Sequence, residues 1–184
     1  MKRNNGLRML AALLASHIMK NTGIRRLTLA LVVAVTFAAM TGSASAETLK
    51  AFATRAGNEG GINNHFFVDL DNSSHNSLEF STSSINSLIK ITYNAECAVL
   101  GPPQSWLSVT ILVDGVQANP ASGTYFGFCT SLPNGVDYQW TGATRQSLIR
   151  VPNVGTHFVQ VLVDINNGAT HWWLGDSSIV VEQQ

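Results

Sequence analysis

The chain has 184 residues, of which 12% are charged, and its 11 basic and 11 acidic side chains balance to zero net charge. Six of the basic residues lie within residues 1–26, and no acidic residue precedes Glu47. From Glu47 onward, five basic residues stand against eleven acidic ones, a net charge of −6. This excludes nucleic acid as a partner, because phosphates require a basic footprint, and it argues against an anionic membrane surface.

Residues 1–46 have the pattern of a secretory signal peptide. Residues 27–40 carry no charge, follow two arginines and precede the sequence Ala44-Ser45-Ala46. The apolar run is shorter than the roughly 20 residues that a membrane-spanning helix needs, which leaves an uncleaved anchor as the alternative. We therefore predict cleavage near Ala46 and a secreted or periplasmic protein with no membrane insertion of the mature chain. Met19 would start a signal of ordinary length.

Two cysteines, Cys97 and Cys129, lie in the predicted mature part. An even number of cysteines in an exported chain predicts a disulfide. The bridge would close a loop of about 33 residues and stabilise the fold by roughly 3–4 kcal/mol through the entropy of the unfolded chain. A metal pair or a reactive thiol has no support, because the chain contains no C-x-x-C sequence and no histidine close to either cysteine.

Apolar and polar residues alternate with period two in several stretches after Glu47, and no helical period persists for three turns. The clearest strand covers residues 88–99, where the odd-numbered residues form one apolar face that includes Cys97. Residues 106–113 and 157–165 alternate in the same way. Each of these stretches is predicted to be a strand with one buried face.

Turn-forming residues separate the strands. Asp114-Gly115 and Asn166-Asn167-Gly168 predict two hairpins, and Pro152-Asn153-Val154-Gly155 predicts another turn. Further short strands are expected at residues 49–53, 65–70, 78–80, 124–130, 145–151, 172–173 and 179–181. Together these features predict one all-β domain over residues 47–184, an antiparallel two-sheet β-sandwich that is jelly-roll-like and has one disulfide.

Several sequences of the chain, KITYNAEC, WLSVTILVDGV, FGFCTS, VPNVGTHFVQVLVD and the closing DSSIVVEQ, resemble those of small exported bacterial β-sandwich proteins. The closing part is similar to the last hairpin of jelly rolls of the tumour-necrosis-factor/C1q type. Such modules are often trimeric binding heads on phage tails or cell surfaces, so the resemblance implies a binding protein that forms a homo-oligomer. It carries over no catalytic residue.

The sequence lacks the local motifs of common enzymes: it has no G-x-S-x-G, no H-E-x-x-H, no phosphate loop and no G-x-G-x-x-G. The mature part has four histidines, His65, His75, His157 and His171, and their spacings are too wide for a local metal site. A triad dispersed along the chain would escape this test, because triads are recognised by geometry. We predict a non-enzymatic protein and name no catalytic residue.

Asp69 and Asp71 offer the oxygen ligands that calcium prefers. The calcium-loop template next requires Gly at its sixth position and Glu at its twelfth, where this chain has Ser74 and Phe80. Because the template fails, an irregular calcium site and a turn capped by the two carboxylates are the interpretations that remain. No other cofactor or metal is predicted.

Aromatic residues are the candidate ligand-binding side chains. Trp172 and Trp173 are adjacent, so in a strand they point to opposite faces, and one is expected in the core and the other at the surface or under a partner. Tyr138 and Trp140 lie in a loop-like stretch beside Asp137. Exposed Trp and Tyr rings pack on the apolar faces of sugars, while nearby carboxylates accept hydrogen bonds from hydroxyl groups.

Three hypotheses of function follow. The first is an exported, non-enzymatic module that binds carbohydrate or a cell surface through Trp172 or Trp173 with Trp140, Tyr138 and Asp137. The second is a structural or assembly subunit of a surface oligomer or appendage, whose exposed aromatic residues are buried between copies of the chain. The third is a hydrolase, which would need Ser, His and Asp side chains together in one cleft.

Overall fold

A computed structural model of the chain describes residues 47–62, 64–120, 127–135 and 137–184. The predicted signal peptide and its cleavage site lie outside the described residues. Residues 124–126 of one predicted strand, including Tyr125 and Phe126, also lie outside them.

The described residues form eleven strands and contain no helix. Among them there is accordingly no helix that could cross a bilayer. Alternating apolar side chains favour the strand conformation because they give each strand one face to bury. The strand bounds are β1 (Thr48–Arg55), β2 (Glu59–Gly61), β3 (Phe66–Phe67), β4 (Leu78–Thr82), β5 (Ser87–Leu100), β6 (Trp106–Val113), β7 (Val116–Gln117), β8 (Gly127–Thr130), β9 (Thr141–Val151), β10 (Gly155–Asn166) and β11 (His171–Gln183).

The strands pair into two antiparallel sheets. Sheet A has the order β1-β11-β5-β9, with β2 also on β11; sheet B has the order β3-β10-β6-β7, with β4 also on β10 and β8 also on β6. From β4 to β6, and again from β8 to β11, each strand lies in the opposite sheet from the strand before it. This jelly-roll-like connectivity confirms the predicted antiparallel two-sheet sandwich. The narrower resemblance to the tumour-necrosis-factor/C1q type stays a prediction.

The apolar faces of the two sheets form one core. The inward-facing residues expected from the alternation are buried: Ile89, Ile91, Tyr93, Ala95, Cys97 and Val99 on β5, Leu107, Val109, Ile111 and Val113 on β6, and Val159, Val161 and Val163 on β10. Each fully buried aliphatic side chain of this kind contributes about 1.5–3 kcal/mol relative to an exposed one. The predicted faces of these three strands are therefore confirmed.

A disulfide joins the two sheets. Cys97 lies on β5 of sheet A and Cys129 on β8 of sheet B, with their Cα atoms 6.4 Å apart. Both residues are buried in the core. The predicted Cys97–Cys129 bridge is confirmed, and it ties the two layers together where β6 and β9 begin.

Of the two predicted hairpins, one is confirmed and one is wrong. Asp114 (φ 51°) and Gly115 (φ 78°) form the tight turn between the paired strands β6 and β7. Asn167 (φ 53°) and Gly168 (φ 80°) have the same backbone signature, but β10 lies in sheet B and β11 in sheet A. A two-residue turn of this shape reverses the chain without determining which strand becomes its partner, and here it carries the chain from one sheet to the other.

The last two strands expected from the sequence are one strand. β11 runs without a break from His171 to Gln183, and its pairing with β5 is shifted between Leu174 and Ser177. Gly175 and Asp176 therefore stand opposite the single residue Glu96 of β5, a β-bulge with one extra residue that locally breaks the alternation and bends the strand. This bulge lies beside the candidate site described next.

Candidate functional site

β11 directs its two adjacent tryptophans to opposite faces of sheet A. Trp172 is 1% exposed and packs against Phe66 of β3, with ring centroids 5.4 Å apart. Trp172 therefore belongs to the core and is not available to a ligand. Trp173 is half-buried on the outer face, between its strand neighbours Gly60 of β2 and Ala98 of β5.

Two aromatic rings stand next to Trp173 on this outer face. Tyr138, in the loop before β9, has its ring centroid 4.7 Å from that of Trp173 and is 51% exposed. His171 has its ring stacked on Trp173 at 5.8 Å with an interplanar angle of 11°. We call Tyr138, His171 and Trp173 the aromatic cluster. Sequence reasoning missed His171 as a site residue, although its position two residues before Trp173 predicts the same face of the strand.

Small residues on the neighbouring strands leave room for the Trp173 ring to pack on the sheet. A Cβ atom at Gly60 would lie 2.6 Å from Trp173 Cδ1 and 2.5 Å from the Trp172 carbonyl oxygen, so only glycine fits there. Ala98 faces outward, since its neighbours on β5 face the core, yet it is only 1% exposed. The sheet surface around Trp173 is therefore covered, and the ring is held by packing rather than projecting freely.

Trp140 lies over the bulge of the same strand. It is 37% exposed, and a Cβ atom at Gly175 would be 3.3 Å from its Cζ3 atom and 3.0 Å from the Oε2 atom of Glu96. The indole ring and the carboxylate therefore both approach the bulge at Gly175. Trp173 lies two residues before Gly175 on β11. Trp140, which lies over Gly175, is therefore next to the aromatic cluster on the outer face of this strand.

A shallow groove of about 410 Å³ lies on the outer face at this bulge. We call it the bulge groove. Three strands of sheet A supply its polar side chains, which are Asn94, Glu96, Thr144, Asp176 and Ser178. The Thr144 hydroxyl donates to Asn94 Oδ1 at 2.7 Å, and Asn94 Nδ2 donates to Ser178 Oγ at 3.3 Å. These bonds order the row of polar groups across the sheet.

The carboxylates of the bulge groove are not neutralised by cations. Glu96 and Asp176 are exposed, and none of the ion pairs among the described residues includes either of them. Asp176 Oδ1 accepts a hydrogen bond from the Gly57 amide at 2.8 Å, which fixes its orientation. Sequence reasoning missed both acids, because Asp176 reaches the groove only through the bulge.

Asp137 is exposed beside the aromatic cluster, and its Oδ2 atom accepts a hydrogen bond from Asn134 Nδ2 at 3.1 Å. The structure thus brings together four of the five predicted ligand-binding residues on one side of sheet A. They are Trp173, Tyr138, Trp140 and Asp137, while Trp172 is separated from them in the core.

The two candidate calcium ligands cap a loop before β4. Asp69 accepts hydrogen bonds from the amides of Asp71 and Ser74, each at 3.2 Å. Asp71 accepts from the Ser73 amide at 3.0 Å and from the Ser73 hydroxyl, and this hydroxyl bond lowers the pKa of Asp71. No group of three or more metal-binding side chains occurs among the described residues. The geometry is that of carboxylates capping turns, and calcium binding stays an untested expectation.

His157 stands between a hydroxyl group and a carboxylate, the order found in hydrolase triads. Its Nδ1 atom is 2.7 Å from Asp114 Oδ2 and its Nε2 atom is 3.2 Å from Thr82 Oγ1. However, Thr82 is 4% exposed and His157 is 5% exposed, and the Thr82 hydroxyl donates to the Asn153 carbonyl oxygen at 2.9 Å. The hydroxyl and the imidazole are therefore buried, although Asp114 is 43% exposed, and the geometry supports fastening β4 and β10 to the Asp114 turn.

The other three histidines also have polar partners but not in that order. His171 Nδ1 lies 3.3 Å from the hydroxyl of the adjacent Thr170. His65 pairs with Asp164 at 2.8 Å and has no hydroxyl partner among the described residues. His75 Nδ1 lies 2.8 Å from the Ser73 hydroxyl, which itself donates to Asp71. The serine, rather than the imidazole, therefore occupies the middle position, and none of these arrangements activates a nucleophile.

No family model and no curated protein matches the chain. A solved structure of a bacterial lipoprotein from Bacteroides thetaiotaomicron is similar to the chain with a TM-score of 0.35 and 6% sequence identity, over 76% of this chain and 89% of that one. A TM-score this low carries no argument about function. The functional argument therefore comes from the geometry of the site.

Proposed function

We propose that the chain is an exported, non-enzymatic binding module that takes a carbohydrate on the outer face of sheet A. One observation carries this proposal: the Tyr138 ring, which is 51% exposed, lies 4.7 Å from the half-buried Trp173 ring on the outer face of sheet A. Trp140 and the polar bulge groove continue the same surface. A pyranose has an apolar face that packs on such rings and a rim of hydroxyl groups that the polar side chains can bond.

The shape of the site favours binding over catalysis. It is a shallow surface that offers one layer of contacts, and its rings lie beside hydrogen-bonding side chains rather than an activated nucleophile. Each aromatic contact adds about 0.5–1.5 kcal/mol beyond the burial of its area. A ligand that covers two or three rings is therefore expected to bind with a dissociation constant of roughly micromolar to millimolar magnitude.

Binding of purified residues 47–184 to a panel of glycans, followed by tryptophan fluorescence, tests the proposal. We expect Trp173→Ala and Tyr138→Ala to weaken binding by about tenfold or more, since each removes a stacking ring. Phe158→Ala is the matched control, because Phe158 is an aromatic residue of sheet B with 46% exposure. Binding that survives both substitutions unchanged would remove the platform from consideration.

An assembly subunit is the second candidate, and exposed apolar side chains support it. Leu49 and Phe52 on β1 and Leu148 on β9 are 62%, 56% and 42% exposed on the described part of sheet A. Large exposed apolar side chains often mark interaction surfaces, and the jelly-roll resemblance implies oligomers. Light scattering distinguishes the two: an oligomer that Phe52→Asp dissociates supports assembly, and a monomer at high concentration contradicts it.

A further inference from the structure

We propose that the bulge groove selects the bound saccharide by charge. It would favour sugars that carry a protonated amine, accept neutral sugars less well and reject sugars that carry a carboxylate. This inference rests on the proposed carbohydrate binding and specifies which class of glycan the site takes.

The groove has the shape of a subsite for one sugar ring. Trp140 lies beside the groove, where its ring approaches Gly175, and Gly142 of β9 adds no side chain to the groove lining. A Cβ atom at Gly142 would meet nothing within 4 Å, which shows that the space above this strand is open. An approaching ring can therefore reach the sheet surface beside Trp140 without displacing protein atoms.

The charge of the groove is negative and uncompensated. Glu96 approaches the same glycine as the Trp140 ring, with its Oε2 atom 3.0 Å from the Cβ position of Gly175. Asp176 is the other acid of the groove. Three basic side chains of sheet A have partners elsewhere. Lys90 lies 2.6 Å from Glu47 and 2.9 Å from Glu182, Arg55 is buried beside Glu59, and Arg145 donates to the Pro120 carbonyl oxygen at 2.6 Å.

The neutral polar groups of the groove complement a sugar rather than a bare cation. Asn94, Thr144 and Ser178 bond one another in a row, which leaves further donor and acceptor positions on these amide and hydroxyl groups. A sugar hydroxyl can use these positions while an amine on the same ring approaches a carboxylate. An exposed ion pair of this kind changes affinity by about tenfold or less and weakens with salt.

The experiment compares short oligomers of glucosamine, N-acetylglucosamine and galacturonic acid at a mildly acidic pH where the amine is protonated and the carboxylates are ionised. Binding to purified residues 47–184 is followed by calorimetry and tryptophan fluorescence at low and high salt. We expect the glucosamine oligomer to bind about tenfold more tightly than the acetylated one, and the galacturonate oligomer to bind least.

Two charge-removing variants and one control locate the effect. Glu96→Gln combined with Asp176→Asn should abolish the preference for the amine, while binding of the acetylated oligomer changes little. Glu79→Gln removes the same charge from an exposed position on sheet B and should leave the preference intact. Trp140→Ala should weaken all oligomers.

Equal affinity for the three oligomers, or tightest binding of galacturonate, would overturn charge selection and leave carbohydrate binding standing. The same holds if the preference for the amine survives loss of both Glu96 and Asp176. If the unmodified protein binds no glycan of the wider panel, the proposed function fails together with the inference.

Discussion

At the scale of single residues, the core contains polar groups that are incompletely paired. The Tyr93 hydroxyl is buried and makes no hydrogen bond of ordinary geometry among the described residues. Burial raises the pKa of Tyr93 to about 12, and the nearby Ser177 side chain only partly opposes this. We expect Tyr93→Phe to leave stability unchanged or to raise it by about 1 kcal/mol, because an unpaired buried hydroxyl costs about 1–3 kcal/mol. Urea denaturation measures the difference. A marked loss of stability would show that the hydroxyl is bonded in solution.

The same residue predicts a dependence on alkaline pH. An unfolded tyrosine ionises near 10.0, whereas Tyr93 in the folded chain holds its proton to about 12. The unfolded state therefore releases its proton first, and the folded state loses stability as pH rises through this window. Unfolding free energies measured across it should fall more steeply for the unmodified protein than for Tyr93→Phe; parallel curves would contradict the assignment.

A second buried group predicts a dependence on acidic pH. Burial raises the pKa of Glu59 above its ordinary 4.5, and Arg55, 3.4 Å away, only partly opposes this. Because the folded state then holds the proton more tightly, the contribution of Glu59 to stability is largest below 4.5 and is lost as pH rises through its folded pKa.

Glu59→Gln should remove that slope from a plot of unfolding free energy against pH. At neutral pH it should leave stability unchanged or raise it, because a raised pKa means that the uncharged form of this side chain suits the folded site better than the carboxylate does. Urea titrations at a series of pH values measure both effects. A slope that persists in the variant would assign the titration to another group.

At the scale of strands, glycine has a different role at two positions of sheet A. Gly60 faces the backbone of Trp172 and the ring of Trp173, and a Cβ atom there would lie 2.5 Å from the Trp172 carbonyl oxygen. Gly142 has nothing within 4 Å of its Cβ position. We expect Gly60→Ala to cost about 1–3 kcal/mol by overpacking and Gly142→Ala to be neutral or slightly stabilising. Thermal denaturation of the pair tests this, and equal melting temperatures would contradict it.

The strands also show which parts of the fold could be predicted from the sequence. The buried faces of β5, β6 and β10 were predictable because side chains in a strand alternate with a period set by the backbone. The pairing of β1 with β11 was not, because it joins residues at opposite ends of the domain and no local signal reports it. The turn at Asn167 and Gly168 shows the same limit, since its residues encode a reversal and not a partner.

The candidate site was predictable only in part, for a related reason. Alternation predicts that Trp172 and Trp173 face opposite ways, but only the register of β11 decides that Trp172 enters the core. Asp176 joins Glu96 because the bulge adds one residue to β11, and a single sequence does not reveal a bulge. The aromatic rings were therefore identifiable from the sequence, while the charge beside them was not.

At the scale of the whole molecule, the disulfide adds a covalent link between two sheets that the backbone connections and the packing of side chains already join. Cys97 and Cys129 are 32 residues apart in sequence and lie on opposite sheets. Replacing both with alanine should lower the free energy of unfolding by about 3–4 kcal/mol, because the unfolded chain regains the freedom of the closed loop. Urea denaturation of the variant and of the reduced protein measures this loss.

Loss of the disulfide should change glycan binding at the aromatic cluster less than it changes the free energy of unfolding. Tyr138, His171 and Trp173 contact one another on the outer face of sheet A, whereas the disulfide lies in the core between the sheets. Cys97 is next to Ala98, the strand partner of Trp173, but its side chain points to the opposite face of sheet A. While the variant remains folded, its glycan affinity should therefore stay within about twofold of the unmodified protein. A large loss of glycan affinity in the folded double-alanine variant would show that the site depends on how the two sheets are held together.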